Sequence, residues 1–335
     1  MPPPTPGRPP RAATPSLPPV AWIGLGALGS PMADNLLTAG FPLTVHNRRR
    51  GREEPLAARG ARRAASPAEA AAGAELIAVC VSDDAAVEAV LFGGSAAATA
   101  TATAASAAGS APPGPTGAGV VAGARPGSLV IDCSTIAPAT SRRLAQRLAE
   151  HGLGYLDAPV TGGTEGARAG TLSVLVGGSA SDLERARPLL ACVGGRLSHF
   201  GPVGAGQAAK AVNQVLVAGS YAAVAEGVAL ARRLELPLEP LVEALKGGAA
   251  GSWALEHRSG AMIRGEFPLG FRLALHRKDL AIALAEAAAA GLELPVSERV
   301  AALEDDLLAA GWGDEDVAAL ARWFEGQSGP EGLRG

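Results

Sequence analysis

The amino-acid sequence predicts two successive domains, an α/β domain followed by an all-α domain. Short apolar runs typical of buried parallel strands alternate with helical patterns up to about residue 200. A glycine- and proline-rich stretch at residues 201–206 then changes the composition, and no convincing strand follows it. We therefore expect an α/β domain over residues 20–200 and a helical domain over 201–328, with the active site in the cleft between them.

Composition excludes several classes of protein. The 335 residues are 48% hydrophobic and 18% charged, enough apolar material for one large or two medium domains. The net charge of −3 gives no basic field, so we do not expect nucleic acid as a partner. The three cysteines and five histidines lack metal-ligand spacing, and we expect no disulfide framework and no metal. The absence of a long, strongly apolar run predicts no membrane span, and we expect a cytoplasmic location.

Two segments have low complexity. Residues 1–19 are rich in proline and lack the apolar core of a secretory signal, so we expect a disordered tail. Residues 93–124 consist almost entirely of Ala, Gly, Ser, Thr and Pro, without charge or periodic large apolar side chains. Such a segment cannot bury enough surface to offset the cost of ordering the chain, which predicts a mobile insertion in the first domain.

The first β-α-β unit carries a glycine pattern that predicts a Rossmann dinucleotide site. An apolar run at residues 20–25 leads into G-x-G-x-x-G, and a helical pattern follows to residue 39. The first glycine permits a tight turn, the second leaves room for a pyrophosphate, and the third allows close packing of helix on strand. The helix N-terminus then presents N–H groups to the phosphates. The expected cofactor contacts in this turn are Gly24, Leu25, Gly26, Ala27, Leu28 and Gly29.

The end of the second predicted strand favours NADP over NAD, although NAD stays open. An acidic residue there would bind both ribose hydroxyls and repel a 2′-phosphate. This chain instead has Asn47 followed by Arg48, Arg49 and Arg50, and guanidinium groups pair well with phosphate. We take Asn47, Arg48 and Arg49 as cofactor contacts; the alternative is a solvated basic turn.

The rest of the first domain continues the alternation of strands and helices. Strands are expected at residues 75–81, 128–133, 155–160, 171–176 and 197–200, and helices at 53–63, 85–92, 138–151 and 182–190. Ser66 and Pro67 have the signature of a helix start. Ligands bind at the carboxyl ends of parallel strands, which places Val81 and Ser82 beside the cofactor. Residues 161–167 are expected to form a loop, in which Thr161, Gly162 and Gly163 could bind a carboxylate; a plain glycine turn is the alternative.

The second domain begins with a long Ala-rich helical pattern over residues 207–234 that carries Lys210. Further helices are expected at 237–245, 253–263, 278–290, 295–310 and 315–324. A lysine on an apolar helix is costly to bury unless it is paired or loses its proton, and desolvation would suit it to acid–base catalysis. The alternative is a lysine that extends past apolar neighbours to water. Asn213 and Gln214 follow on the same face.

A second cation, Lys278, is expected at the start of the helix over residues 278–290. It could hold the cofactor or a substrate carboxylate, and an ordinary surface pair with Asp279 is the alternative. Asp279 itself fits the favourable charge of a helix N-terminus.

Four segments resemble the signature motifs of the β-hydroxyacid dehydrogenase family. They read GLGALGSPMADNLLTAGFPLTVHNR, DAPVTGGTEGARAGTLSVLVGG, GAGQAAKAVNQ and GFRLALHRKDL, in the family's order, and the resemblance covers about residues 20–325. The family includes 3-hydroxyisobutyrate dehydrogenase, tartronate semialdehyde reductase, glyoxylate/succinic semialdehyde reductase and, more distantly, 6-phosphogluconate dehydrogenase. The resemblance implies its two-domain architecture and a homodimer or homotetramer.

The resemblance also implies roles for individual residues. Lys210 would be the catalytic lysine, assisted by Asn213, and would exchange a proton with a small semialdehyde or β-hydroxyacid. Thr161, Gly162, Gly163 and Gln214 would bind the substrate, while Thr135 and Lys278 would contact NADP. The Asn-Gln pair and the GGAAGS segment at residues 247–252 resemble tartronate semialdehyde reductases.

Two other functions on the same fold stay open. One is a non-catalytic NADP-binding module, and the other is an imine reductase. Relatives of both kinds usually lack the lysine that stands here at position 210, so the presence of Lys210 counts against each. Which semialdehyde or hydroxyacid reacts does not follow from the sequence.

Overall fold

The computed structural model describes residues 17–94 and 118–326. Most of the predicted tail at 1–19 and most of the predicted insertion at 93–124 lie outside these ranges. Within them, nine strands form one mixed sheet. The strands are β1 (Val20–Ile23), β2 (Leu43–His46), β3 (Arg62–Arg63), β4 (Leu76–Val79), β5 (Leu129–Asp132), β6 (Gly154–Asp157), β7 (Val160–Thr161), β8 (Leu172–Gly177) and β9 (Gly194–Gly201).

The sheet has the strand order of a Rossmann fold. Strands β3-β2-β1-β4-β5-β6 are parallel neighbours, whereas β8 runs antiparallel to β6 and β7 and pairs in parallel with β9. Parallel strands are covered on both faces, which explains their continuous apolar sequence. Along β1, Trp22 packs into the core on one face, and Ile23 packs into the core on the other.

Seven helices in the described residues accompany this sheet. They are α1 (Gly29–Thr38), α2 (Glu54–Ala57), α3 (Pro67–Ala71), α4 (Asp84–Phe92), α5 (Pro138–Ala149), α6 (Gly163–Ala169) and α7 (Ala180–Val193). The predicted start of α3 is confirmed, because the Ser66 hydroxyl accepts a hydrogen bond from the Glu69 amide at 3.1 Å and Pro67 occupies the first turn.

The end of the predicted mobile insertion differs from the prediction, because it packs against the first domain. Val120–Ala122 forms a 3-10 helix that contacts α3 and α4, and Val120 is fully buried. Two consecutive valines supply the large apolar side chains that the preceding residues lack. Burial of this apolar surface offsets the entropy cost of ordering this part of 93–124. Gly123 also packs closely, since an added Cβ would lie 1.9 Å from the Ala68 carbonyl oxygen.

The second half of the chain is helical and is built around one long helix. The elements are α8 (Ala205–Arg233), α9 (Leu238–Leu245), α10 (Trp253–Arg264), α11 (Leu273–Ala289), α12 (Pro295–Ala309), a 3-10 helix (Val317–Ala319) and α13 (Leu320–Glu325). Helices α10, α11, α12 and α13 all pack on α8. The Asp157 carboxylate at the end of β6 joins the two halves, because it accepts hydrogen bonds from the amides of Gly204 and Gln207 at 2.8 and 2.9 Å.

Two predicted element boundaries are wrong at functionally relevant positions. Residues 161–167 are not all loop, because α6 begins at Gly163; a helix of seven residues is too short to show a clear periodicity. Helix α11 begins at Leu273, five residues before the predicted start. Its first amides donate to the carbonyl oxygens of Glu315 and Gly313, partners that lie far along the chain and replace a local cap. Lys278 and Asp279 therefore lie inside α11, and Asp279 is not an N-terminal charge.

Helix α8 is long and apolar enough, at 29 residues and a mean hydropathy of 1.4 in its most apolar window, to cross a membrane. Core helices of soluble proteins meet the same criterion. Here α8 contacts β8, β9 and all five other α-helices described in its own half, and 39% of that window is buried within the chain. The expectation that no segment spans a membrane stays a prediction.

Candidate active site

The glycine turn after β1 has the shape that a dinucleotide pyrophosphate requires. Gly24 has φ of +102°, and an added Cβ would lie 2.1 Å from the Cys80 carbonyl oxygen. A Cβ on Gly29 would lie equally close to the Gly24 carbonyl oxygen, so the helix start packs directly on the turn. Gly26 differs, because its added Cβ would meet no atom within 4 Å. The backbone is thus open at Gly26, where the phosphates approach. The residues present fit a nicotinamide dinucleotide.

The end of β2 supports this turn and presents free guanidinium groups beside it. The Asn47 side chain accepts a hydrogen bond from the Leu25 amide at 2.9 Å and donates to the Arg49 carbonyl at 2.8 Å. Arg50 forms an ion pair at 2.8 Å with the fully buried Glu53, so the Arg50 guanidinium already has a carboxylate partner. Arg48 and Arg49 are exposed and have no ion pair or side-chain hydrogen bond within the described ranges. They are the arginines of this cluster that remain available for a phosphate.

The remaining predicted cofactor contacts lie at the carboxyl ends of β4 and β5. The Val81 amide donates to the Ser134 hydroxyl at 3.0 Å, which ties the two strand ends together. Ser82 is exposed and donates to Asp83, the N-cap of α4. Thr135 follows Ser134, and its carbonyl oxygen accepts a hydrogen bond from the Lys278 ammonium. The helical half therefore reaches the nucleotide edge of the sheet through Lys278.

Lys210 lies buried on α8 beside this edge. Only 6% of the residue is exposed. Burial lowers the pKa of Lys210 to about 8; the nearby Asp279 carboxylate opposes this effect and the Lys278 ammonium adds to it. No hydrogen bond reaches the Lys210 ammonium from the described part of the chain, and the Phe271 ring centroid lies 5.9 Å from Nζ. The group can therefore gain or lose a proton near neutral pH.

A chain of side chains connects the neighbours of Lys210. Asn213 donates to the Gln214 side-chain oxygen at 2.7 Å, and Gln214 donates to Asp279 at 2.8 Å. Asp279 pairs with Lys278 at 2.8 Å. The two amides thus bond to each other and to the carboxylate beside Lys210, rather than to its ammonium. Asp279 is only 4% exposed, and its place beside Lys210 was not predicted from the sequence.

The candidate substrate turn lies where β7 leads into α6. Thr161 ends β7, and Gly162 and Gly163 have φ of +132° and +64°, which explains the glycines at both positions. Gly163 is the first residue of α6, so the turn offers a hydroxyl and the free amides of a helix start. The Gly270 carbonyl, next to Phe271, lies 4.0 Å from the Cβ position of Gly163. The turn and the Phe271 segment therefore approach each other closely.

Across the described residues, 17–94 and 118–326, no group of three or more His, Cys, Asp or Glu side chains could hold a metal ion. Cys80 and Cys133 follow adjacent strands as free thiols, and burial raises the pKa of Cys80 to about 12. These thiols do not have the electropositive surroundings of a nucleophile.

A Rossmann edge with an open glycine turn, next to a buried lysine of lowered pKa, is the arrangement expected of a nicotinamide-dependent dehydrogenase. Comparisons with known proteins agree with this class. Residues 19–201 match the family described as the NAD binding domain of 6-phosphogluconate dehydrogenase. Residues 204–324 match the one described as NAD-binding of NADP-dependent 3-hydroxyisobutyrate dehydrogenase.

Named relatives cover nearly the whole chain. An NAD-dependent L-serine dehydrogenase from Pseudomonas aeruginosa is 35% identical over 92% of this chain and 99% of its own length. The 2-hydroxy-3-oxopropionate reductase of Escherichia coli is 35% identical over 91% of this chain and 97% of its own length. The solved structure of 3-hydroxyisobutyrate dehydrogenase from Mycobacterium tuberculosis with L-serine has a TM-score of 0.75 at 31% identity, covering 91% and 98% of the two chains.

The chain belongs to the β-hydroxyacid dehydrogenase family. The predicted Rossmann domain followed by a helical domain is confirmed. The protein is an NAD(P)-dependent oxidoreductase, and this reading fits better than a non-catalytic nucleotide-binding module or an imine reductase.

Proposed function

We propose that this enzyme interconverts a small carboxylate-bearing aldehyde and the corresponding hydroxyacid, with Lys210 as general acid and base and NADP(H) as the redox partner. The observation that carries the proposal is the buried Lys210 ammonium, which has a pKa of about 8 and a lysine and a carboxylate as its charged neighbours. Candidate substrates are tartronate semialdehyde, succinic semialdehyde, glyoxylate and 3-hydroxyisobutyrate.

The side chains around Lys210 in the helical half would donate and accept the proton. We call this group the helical wall; it comprises Lys210, Asn213, Gln214, Lys278 and Asp279. The cofactor supplies the hydride, so negative charge develops on the carbonyl oxygen as the substrate is reduced. The Lys210 ammonium would donate its proton to that oxygen, and the neutral amine would accept it in the oxidation. Asn213 and Gln214, held by Asp279, would offer amide groups that orient the substrate oxygen beside Lys210.

The turn at Thr161, Gly162 and Gly163 would bind the substrate carboxylate. It offers the Thr161 hydroxyl and backbone amides at a helix start, which are suited to an anion. Holding the carboxylate there fixes the reacting carbon relative to Lys210. Lys278, which bonds to the Thr135 carbonyl at the sheet edge, would keep the helical wall in place beside the nucleotide.

NADP is the proposed physiological cofactor. Arg48 and Arg49 follow Asn47 without carboxylate partners. The Glu53 carboxylate near the end of β2 is fully buried and paired with Arg50, so no free carboxylate there repels a 2′-phosphate. One relative named above is NAD-dependent, whereas the family matched by residues 204–324 is described as NADP-dependent, so the preference within this chain is argued from these arginines. Arg48 and Arg49 would pair with the 2′-phosphate.

We also propose a homodimer or homotetramer, located in the cytoplasm. The outer side of α8 supports self-association, because Val212, Leu216 and Leu230 are each 60% or more exposed and lie on one apolar side of the helix. The cytoplasmic location is supported by the bacterial metabolic enzymes among the relatives.

A substrate panel tests the proposed function. Semialdehydes and hydroxyacids would be assayed by absorbance with both NADPH and NADH, in both directions. We expect turnover with at least one semialdehyde that bears a carboxylate, and none with the matching aldehyde lacking it. Cofactor binding without turnover across the panel would contradict the proposal.

A further inference from the structure

Arg258 connects the two halves of the molecule beside the candidate site. It lies on α10, with 13% of its side chain exposed. Its Nη2 donates to the Glu165 carboxylate of α6 at 2.7 Å, and its Nε lies 3.6 Å from the buried Asp316 carboxylate. Arg258 and Glu165 are 93 residues apart in sequence. One guanidinium group therefore pairs with a carboxylate from each half.

Each of these carboxylates is fixed to a wall of the candidate site. Glu165 lies in the first turn of α6, two residues after Gly163. Asp316 accepts hydrogen bonds from the amides of Gly270 and Phe271 at 2.9 and 2.8 Å, and the Phe271 ring faces Lys210. The substrate turn and the segment beside the lysine are thus joined through a single arginine side chain.

The pair is packed against both backbones. A Cβ added to Gly270 would lie 2.3 Å from Arg258 Nη2, and one added to Gly163 would lie 2.9 Å from a Glu165 carboxylate oxygen. Burial alone would raise the pKa of Glu165, but the hydrogen bond and charge of Arg258 hold it below its ordinary value. The contact is therefore an ion pair at neutral pH. A planar guanidinium reaches two carboxylates in different directions, which a lysine ammonium does less well.

We propose that Arg258 is a positioning residue that sets the distance between the carboxylate-binding turn and Lys210, and thereby the length of substrate that the site accepts. This inference rests on the proposed function. A substrate must reach from the turn to the lysine with its carboxylate at one end and its carbonyl at the other. Aldehyde acids of two, three and four carbons differ in the distance between carboxylate and carbonyl. A fixed span favours the acid whose distance matches it.

Two variants test this role. Arg258→Met removes the charge of the guanidinium group and keeps the apolar stem. Glu165→Gln removes the charge of its half-exposed partner. Because Glu165 is half-exposed, this second variant can still test the role if Arg258→Met fails to fold. We expect the KM for the best aldehyde acid to rise roughly tenfold in Arg258→Met and about threefold in Glu165→Gln, with kcat within about twofold. The kcat/KM preference for that acid over the next chain length should shrink in both. The NADPH Kd should not change.

Arg264→Met is the matched control, because Arg264 lies on the same helix and pairs with Glu266 where both are exposed. It should leave KM and chain-length preference unchanged. Hydrogen exchange provides a readout without turnover: amides of residues 163–169 and 270–272 should exchange faster in Arg258→Met and Glu165→Gln than in wild type or the control.

The outcomes separate the two claims. If the wild type reduces an aldehyde acid but both variants keep its KM, chain-length preference and exchange rates, the positioning role is wrong and the proposed function stands. If the wild type turns over no aldehyde acid, the proposed function fails, and unchanged exchange at residues 163–169 would also overturn the link between Arg258 and the turn.

Discussion

The two walls of the candidate site are built by different means. The sheet edge acts mainly through its backbone: a glycine turn with an open position at Gly26, and strand ends tied by the bond between Val81 and Ser134. The helical wall acts through side chains, with Lys210 and Asp279 buried beside each other's charge. Under the proposed function, the sheet edge would recognise the cofactor by its backbone shape, and the side chains of the helical wall would donate and accept a proton.

The same contrast appears between two lysines of the helical wall. Lys278 is partly exposed, pairs with Asp279 and donates to the Thr135 carbonyl, so its ammonium is held in a fixed place. Lys210 is more deeply buried and has no hydrogen-bond partner within residues 17–94 and 118–326, so its proton is held less firmly. A lysine with partners positions structure, whereas one without them is free to exchange its proton with a substrate.

The largest expected effect comes from Lys210→Met. Because the general acid is lost, kcat should fall by about 10²- to 10⁴-fold, while NADPH still binds with an unchanged Kd. Steady-state kinetics and a cofactor fluorescence titration measure the two quantities. Lys246→Met, an exposed lysine that pairs with Glu243, is the control and should keep full activity. Near-normal turnover in Lys210→Met would remove the proposed role of the wall.

Two glycine variants separate shape from stability at the sheet edge. Gly26→Ala should leave the melting temperature nearly unchanged, because its Cβ meets no atom within 4 Å, but should weaken NADPH binding by at least roughly tenfold. Gly24→Ala should lower stability by about 1–3 kcal/mol, because its φ is +102° and its Cβ would strike the Cys80 carbonyl. Thermal unfolding and fluorescence titration distinguish them. Equal losses of stability would contradict an open phosphate position at Gly26.

A buried carboxylate of the sheet gives a pH-dependent effect on folding. Burial raises the pKa of Asp132 from 3.8 to about 6, against hydrogen bonds from Ser134 and Tyr155 that lower it. The folded state then holds a proton more tightly than the unfolded chain. The resulting stability, up to about 3 kcal/mol, is complete below about pH 4 and is lost as pH rises through about 6.

Asp132→Asn removes this titration. We expect the free energy of unfolding, measured by urea denaturation between pH 4 and 7, to fall less steeply with pH in the variant than in wild type. Parallel slopes in the two proteins would show that the buried carboxylate does not titrate in this range.

The smallest expected effect concerns cofactor choice. Arg48→Ala should lower kcat/KM for NADPH by about tenfold and leave that for NADH unchanged, because a single charge-assisted contact to the 2′-phosphate is lost. Arg50→Ala is the control, since Arg50 pairs with the buried Glu53. It should change the melting temperature and not the NADPH/NADH ratio. A wild type that uses NADH as well as NADPH would contradict the assignment of Arg48.

Local signals made much of the molecule predictable. The glycine spacing at Gly24 and Gly26, the apolar strands and the Ser66 cap all depend on neighbours in sequence, and each predicted the observed backbone. The position of Lys210 on an apolar helix marked it as unusual but left open whether it is buried or extends to water; the structure shows that it is buried.

Contacts between distant residues were not predictable in the same way. The start of α11 is satisfied by carbonyls of residues 313–315, so no local cap marked it, and Asp279 was misplaced as a result. The pair between Arg258 and Glu165 has no sequence signal at all, because each residue alone reads as an ordinary surface charge. Both contacts depend on how distant elements pack against each other, which local sequence patterns do not reveal.

The pH dependence of kcat for aldehyde reduction, in wild type and two neighbour variants, tests the central claim most directly. The reaction needs the Lys210 ammonium, so kcat should fall as pH rises through about 8. Lys278→Met removes a charge that lowers the pKa of Lys210 and should move this fall to higher pH, whereas Asp279→Asn should move it to lower pH. A flat profile between pH 7 and 9, or displacement of both variants in the same direction, would contradict the assignment of the proton to Lys210.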